Sequence, residues 1–185
     1  MKKNIEIEYK TLTTKTKFEN FLSNSSISTE VYQVNYFYDT IDFQLYKLGV
    51  ILRVRKINNT FLFTLKERTR SNSIEHEMEI SANDLSFLDN AKISALLSKF
   101  ELTQPIVLVG ELATMRKTFS DSFGEWCFDH NFYNNIEDYE IEFELHPGIK
   151  NAFKHFLAVL RQNNIRYKKA PGKRYRCLFN KKLDS

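Results

Sequence analysis

The sequence predicts an α+β protein: an eight-stranded antiparallel β-barrel, or tunnel, with a charged lumen and helices packed on the outside. Three observations predict this fold. Several segments alternate apolar and polar residues with the period of a strand, others repeat apolar residues at helical spacing, and several connections are too short for a parallel crossover. The 185 residues are 42% hydrophobic and 27% charged, which suits a single domain over residues 1–185 with a sizeable core.

The first half of the chain is predicted to contain five strands. Residues 4–11 form the first, because Ile and Tyr alternate with Glu and Lys, and residues 31–40 form another that is rich in Tyr, Val and Phe. A helix is expected over residues 14–25, where Phe and Leu recur at helical spacing, and a turn or short helix over residues 42–48. A hairpin around adjacent asparagines and one further strand follow: residues 50–57, 60–69 and 73–81.

The second half begins with a change of period. Leu and Ile at helical spacing predict one or two short helices over residues 81–100, and another helix is expected after Pro147-Gly148. Residues 165–185 include a run of Lys and Arg, which predicts a basic tail or helix near a tunnel mouth. The remaining strands, separated by turns, are residues 105–118, 124–132 and 135–145.

Parity places the charged side chains of each predicted strand on one face, since successive residues of a strand point to opposite sides. Two explanations stay open: an antiparallel sheet with this face in water, or a barrel with this face lining its lumen. The strand number, the helices that need an apolar sheet surface to cover, and the sorting of charges by sign along single strands favour the barrel. The charged positions are Glu6, Glu8, Lys10, Arg53, Arg55, Lys66, Glu75, Glu77, Glu79, Arg116, Glu125, Asp129, Glu140, Glu142 and Glu144.

A lumen with these charges suits a polyanion together with divalent cations. Charges inside a barrel are costly unless they are paired or meet an ion. Guanidinium and ammonium groups hold phosphate oxygens, whereas paired carboxylates supply the hard oxygen ligands that Mg²⁺ prefers. A metal-bound water is a better nucleophile near neutral pH, and the metal neutralises charge on a phosphoryl group during transfer.

Several charged segments, taken in their order along the chain, resemble motifs of the CYTH superfamily. These proteins are the triphosphate tunnel metalloenzymes, and the resemblance is to their bacterial single-domain form. The opening Glu6-x-Glu8-x-Lys10 is similar to the ExExK signature of that family. Further similar segments are Asn35-Tyr36-Phe37-Tyr38-Asp39-Thr40, Leu52-Arg53-Val54-Arg55, Thr64-Leu65-Lys66, the Glu75-to-Glu79 alternation, Arg116, Asp129, Glu140-x-Glu142 and the late Lys173.

The resemblance implies a tunnel that binds a triphosphate with Mg²⁺ or Mn²⁺. Glu6 and Glu8 would ligate one metal, and Glu140 and Glu142 a second, although Glu144 shares their face and could replace Glu140 in the pair. Glu6, Glu8, Lys10 and Glu142 would form the catalytic centre. Lumen carboxylates that bind metal through water or orient the nucleophile would be Glu77, Glu79 and Asp129, and phosphate oxygens would be held by Lys10, Arg53, Arg55, Lys66, Arg116 and Lys173.

The leading hypothesis is a metal-dependent triphosphatase that acts on a small triphosphate, most simply inorganic tripolyphosphate. Two alternatives are a class IV type adenylate cyclase, or another nucleotide or thiamine triphosphate enzyme, and a non-catalytic phosphate- or polyphosphate-binding protein. A net charge of +4 is too mild to indicate a nucleic-acid partner. Without a long apolar run or a disulfide pattern, the chain is expected to be cytoplasmic, away from membranes, and a monomer or homodimer.

Overall fold

The computed structural model describes residues 1–68, 72–150 and 152–179 of the chain. These residues form two compact units. The first unit comprises the described residues of 1–5 and 33–112, and the second comprises residues 6–32 and the described residues from 113 onward. The unit boundaries fall inside three of the strands.

The first unit is a sheet with short helices on one face. Its strands have the spatial order β1-β6-β5-β4-β3, and β3, β4, β5 and β6 pair antiparallel in sequence. The hairpin between β4 and β5 turns at Asn58, whose φ of 53° lies in the left-handed region that asparagine tolerates. The strands are β1 (Lys2–Glu6), β3 (Thr29–Thr40), β4 (Val50–Ile57), β5 (Thr60–Arg68) and β6 (Ser73–Ile80), and the helices are α2 (Gln44–Lys47) and α3 (Ala91–Ser98), with a 3₁₀ turn over Ser86–Asp89.

The second unit has the same construction. Its strands have the order β7-β8-β9-β2, all antiparallel neighbours. Helix α1 begins after Thr14, whose side chain caps the backbone N–H of Lys17. The elements are β2 (Glu8–Thr13), β7 (Ile106–Ser120), β8 (Gly124–Tyr133), β9 (Ile136–Leu145), α1 (Lys15–Ser23), α4 (Phe153–Gln162) and α5 (Lys173–Phe179).

Each unit has its own hydrophobic core between the apolar face of the sheet and the helices. In the first unit, Leu52, Val54, Phe63 and Leu65 are buried under the 3₁₀ turn and α3. The second core is largely aromatic, and most of its buried members come from β8, β9, α1 and α4. They include Phe18, Phe21, Trp126, Phe128, Ile141, Phe143, Phe156 and Leu160. Because these side chains fix one face of each sheet against helices, the other parity carries the charged residues.

The structure has nine strands among the described residues, where the sequence predicts eight. The strand predicted over residues 4–11 is interrupted at Ile7 and forms two strands. Strand β1 is the neighbour of β6 in the sheet, and β2 pairs with β9. The helices expected over 14–25, 42–48 and 81–100 are present within a few residues. The predicted C-terminal helix is α5, and residues 180–185 lie outside the described part. Among the described residues, no helix is both long and apolar enough to cross a membrane.

Candidate functional site

The register of the second unit places the charged side chains of β2, β9 and β8 in rows across the sheet. Residues directly opposite each other on an antiparallel pair have their side chains about 5 Å apart, so each row brings its members into contact range. The outermost row is entirely acidic, which costs free energy because like charges face each other. The rows are Glu8–Glu144–Glu125, Lys10–Glu142–Cys127 and Leu12–Glu140–Asp129.

The first carboxylate cluster consists of Glu6, Glu8 and Glu144. One ligand oxygen from each lies within 4.8 Å of the others. Burial raises the pKa of Glu144 to about 7. The negative charges of Glu142, Glu6 and Glu8 add to this effect, and the positive charge of Arg116 opposes it. The crowding of negative charge around Glu144 makes this cluster a good receptor for a cation.

The second carboxylate cluster consists of Asp129, Glu140 and Glu142, all of which are buried. Helix α5 directs Lys173 into it, and the ammonium nitrogen Nζ lies 2.7 Å from Asp129 Oδ2, 2.9 Å from Glu140 Oε2 and 2.9 Å from Glu142 Oε1. An ammonium has three N–H donors, so one lysine matches three carboxylate acceptors. The pKa of Lys173 is raised because these carboxylates outweigh the burial that would lower it.

Arg116 connects the two clusters. Its Nε and Nη2 donate to the two oxygens of Asp129, each at 2.7 Å, in the bidentate arrangement that a guanidinium makes with a carboxylate. Nη2 also lies 2.5 Å from Glu142, and Nη1 lies 3.5 Å from Glu144. Lys10 lies between the same groups, with Nζ 2.6 Å from Glu8 and 3.2 Å from Glu142.

Charge pairing sets the protonation states of this face. Burial would raise the pKa of Glu142, but Lys173, Lys10 and Arg116 hold it well below its usual range. Burial would also raise the pKa of Asp129, but the charges of Arg116 and Lys173 outweigh this effect and lower it. Both carboxylates are therefore ionised at neutral pH, and the cations beside them remain protonated.

Arg176, on the same helix as Lys173, is the most deeply buried cation of the cluster, at 1% exposure. Its Nη1 and Nη2 donate to Glu140 at 3.3 and 2.7 Å, and Nη1 also donates to the backbone carbonyl of Pro171. Its Nε lies 2.8 Å from Asp138. Residues three apart on a helix share a face, so Arg176 and Lys173 enter the carboxylates together.

The first unit carries a second set of charges on β4, β5 and β6. Lys66 lies 2.8 Å from Glu75, and Arg53 donates to Thr64, which is 3.4 Å from Glu77. Arg55 donates to Asn35 at 2.9 Å. Cross-strand register therefore gives each row one cation from β4 or β5 and one carboxylate from β6. The rows are Ile51–Lys66–Glu75, Arg53–Thr64–Glu77 and Arg55–Leu62–Glu79.

A family model identifies the chain. The model of the CYTH domain matches residues 4–169. The chain belongs to the CYTH family. This CYTH protein is 34% identical over 166 residues to a curated protein of Bacillus subtilis (strain 168) named "Putative triphosphatase YjbK", and the alignment covers 85% of this chain and 87% of the relative.

Solved structures share the CYTH fold. A crystal structure from Bacillus halodurans, described as a putative adenylate cyclase, superimposes with a TM-score of 0.83 at 31% identity, covering 95% of this chain and 98% of the other. HpAC1 from Hippeastrum superimposes with a TM-score of 0.76 at 23% identity, covering 97% of each chain, and this second likeness concerns the fold alone. The fold class predicted from the sequence is confirmed, with nine strands in place of eight.

Within the second unit of this CYTH chain, the predicted site residues lie together. Glu144 groups with Glu6 and Glu8, whereas Glu140 and Glu142 group with Asp129. The roles assigned to them remain predictions, as do those of the first-unit residues, which are Arg53, Arg55, Lys66, Glu77 and Glu79.

Sequence reasoning missed the part played by Arg176. The residue belongs to the basic run that was predicted as a tail or helix, and its spacing of three from Lys173 was the available signal. Cys127 lies on the same face of β8 as Glu125 and Asp129. The thiol of Cys127 is fully buried, and Sγ lies 4.0 Å from Glu125 and 3.9 Å from Glu144. Burial raises the pKa of this thiol, and the charge of Glu144 adds to the effect although Arg116 opposes it, so the thiol is neutral.

Proposed function

We propose that this protein is a divalent-metal-dependent hydrolase of triphosphates, with inorganic tripolyphosphate as its simplest substrate. The observation that carries the proposal is the meeting, within one unit, of a crowded carboxylate cluster with two cationic side chains. The cluster is Glu6, Glu8 and Glu144, and Arg116 and Lys10 contact both it and Glu142. The name of the B. subtilis relative supports the same activity.

Charge balance explains why a metal would be needed. Carboxylates outnumber cations on this face, so a bare triphosphate would meet net repulsion. The pKa of Glu144 is raised first by burial and then by the charges of the neighbouring carboxylates. A divalent cation bound first would cancel most of the negative charge of the cluster, and phosphate oxygens of the substrate could then bind the cation directly.

The residues of the first cluster fit such an ion. Three carboxylate oxygens within 4.8 Å of one another are the hard, anionic donors that Mg²⁺ and Mn²⁺ take, and the remaining positions suit water and phosphate oxygens. When bound, the metal supplies Lewis acidity toward the phosphoryl group and lowers the pKa of a bound water. Glu6, Glu8 and Glu144 would hold it.

The cationic side chains would bind and orient the triphosphate. Arg116 presents a planar fork and Lys10 a point charge, and both groups suit phosphate oxygens. Each is already held by carboxylates, which fixes its position before the substrate arrives. The first-unit cations Arg53, Arg55 and Lys66 are proposed as further phosphate ligands by their match to the family motifs.

The test is phosphate release from tripolyphosphate, ATP, GTP and thiamine triphosphate, with and without Mg²⁺ or Mn²⁺. We expect release that requires the metal, and tripolyphosphate to be turned over fastest. Glu8→Gln should reduce kcat by at least about 100-fold, which is about 2.7 kcal/mol of transition-state stabilisation. Lys10→Met should do the same and also raise KM.

The matched control is Glu19→Gln, which neutralises an exposed carboxylate on α1 and should leave the rate unchanged. Circular dichroism and the thermal midpoint establish that each variant is folded. Full turnover by folded Glu8→Gln and Lys10→Met, or metal-independent turnover by the wild-type chain, would contradict the assignment. Tight triphosphate binding without turnover would indicate a receptor instead.

Adenylate cyclase activity is the second candidate, because the B. halodurans structure at 31% identity is described as a putative adenylate cyclase. The two reactions differ in which phosphorus atom is attacked, and therefore in their products. Incubation with ATP and metal distinguishes them: a hydrolase gives ADP and phosphate, and a cyclase gives cyclic AMP and pyrophosphate.

A further inference from the structure

The second carboxylate cluster already contains a cation that belongs to the chain. Lys173 Nζ lies 2.7 to 2.9 Å from one oxygen of each of Asp129, Glu140 and Glu142. A metal ion that took all three of these oxygens as ligands would have to be centred near the position of Nζ, because that point is nearly equidistant from them. The ammonium and the ion therefore compete for the same place.

The charge of this cluster is also balanced by the protein. Each carboxylate that contacts Lys173 has an arginine as a second partner: Arg116 contacts Asp129 and Glu142, and Arg176 contacts Glu140. All three carboxylates are buried. A divalent ion added beside these cations would bring unbalanced positive charge into a poorly solvated place, at a high electrostatic cost.

Lys173 is held there by its own helix. Arg176, one turn further along α5, contacts Glu140 and Asp138 on β9, and Asn134 of the β8–β9 turn donates to the backbone carbonyl of Cys177. These contacts attach α5 to the end of the β8–β9 hairpin. The lysine is thus positioned by contacts other than those it makes itself.

We propose that Lys173 is the resident cation of the Asp129–Glu140–Glu142 cluster and excludes a divalent ion from it while α5 is docked. The chain then binds one divalent ion, at Glu6, Glu8 and Glu144, in place of the two that its family resemblance implies. The proposal rests on the proposed function only in taking a divalent cation as the ligand of the first cluster.

The test counts Mn²⁺ ions in the absence of any triphosphate. The full chain is titrated with Mn²⁺, and free Mn²⁺ is followed by electron paramagnetic resonance. We expect one ion on the wild-type chain and two on Lys173→Met, the second bound more than about tenfold more tightly than any second ion on the wild type, which is about 1.4 kcal/mol. Adding Glu140→Gln to Lys173→Met should remove the second ion.

Two variants make the count specific. Lys173→Arg keeps the positive charge and should bind one ion. Lys154→Met removes a lysine from the exposed side of α4 and should also bind one ion. Equal numbers and affinities of ions on the wild-type chain and Lys173→Met would overturn the proposal. Two tightly bound ions on the wild-type chain would overturn it too, and this count needs no variant to fold.

The count is independent of turnover. If Lys173→Met binds one more ion than the wild-type chain, and the wild-type chain hydrolyses no triphosphate, the resident lysine is supported and the proposed function is rejected. A chain that hydrolyses tripolyphosphate with two tightly bound ions supports the proposed function and rejects the resident lysine.

Discussion

The replacement Arg176→Met removes the buried guanidinium while it keeps most of the volume of the side chain. Arg176 is 1% exposed, and it donates two hydrogen bonds to Glu140, which is 0% exposed. The variant leaves Glu140 and Asp138 without this partner. We therefore expect a large loss of stability, because two carboxylates each lose an arginine partner.

The magnitude follows from the contacts that remain. Removing one partner of a buried ion pair costs about 3 to 5 kcal/mol. Glu140 keeps its contact with Lys173 at 2.9 Å, so the lower end, about 3 kcal/mol, applies. In a chain of this size each kcal/mol moves the thermal midpoint by about 2 to 4 °C, and the expected decrease is about 6 to 12 °C.

Differential scanning calorimetry at neutral pH measures this decrease. The matched control is Arg166→Met, which removes an exposed arginine and should change the midpoint by no more than about 1 °C. In a double-mutant cycle, Glu140→Gln combined with Arg176→Met should recover part of the loss, because a neutral amide needs no counter-charge. A decrease below about 2 °C, or strictly additive effects, would refute the reasoning.

Two further predictions concern the second unit away from its charged face. Asp121→Asn should destabilise the protein by about 1 to 3 kcal/mol at neutral pH. The reason is that the Asp121 carboxylate accepts hydrogen bonds from two backbone N–H groups, from Trp126 Nε1 and from His155. Burial would raise the pKa of Asp121, but these hydrogen bonds lower it. A lowered carboxyl pKa stabilises above the ordinary value of about 4 and loses that contribution as pH falls through the folded value, so thermal midpoints of the two chains should converge in acid, and a constant difference would contradict this. Phe156→Ala should cost about 3 to 5 kcal/mol in urea denaturation, since Phe156 is fully buried among aromatic rings; Phe153→Ala, at a half-buried position of the same helix, should cost less, and equal losses would count against a packing origin.

Parity predicts the charged face because a strand has a period of two whatever it pairs with. The spacing of Glu140, Glu142 and Glu144 already places them together on one side of β9, opposite the buried Ile141 and Phe143. The same rule predicts that the apolar parity lies against helices. These features depend on sequence-local geometry, and the structure has them where the sequence predicts.

Pairing is what the sequence could not predict. Whether Glu140 or Glu144 joins the opening carboxylates depends on how β9 is registered against β2, and both alternatives satisfy parity equally. The structure pairs Glu8 with Glu144 and Lys10 with Glu142. The interruption of the first predicted strand at Ile7 could not be predicted from the sequence either, because apolar and polar residues continue to alternate through it without a glycine or proline.

The two carboxylate clusters differ because of what register gives each of them. A shift of two residues along β2 would keep every side chain on its present face, yet Lys10 would then lie opposite Glu140 or Glu144 in place of Glu142. The observed register puts acid opposite acid at Glu8 and Glu144, and acid opposite base at Glu142 and Lys10. The first carboxylate cluster is thereby left with the excess of negative charge, while the second carboxylate cluster receives lysine and arginine side chains from the chain itself. Affinity for an external cation therefore depends on strand register as much as on the number of carboxylates, and for this reason the Mn²⁺ count discriminates between the two clusters.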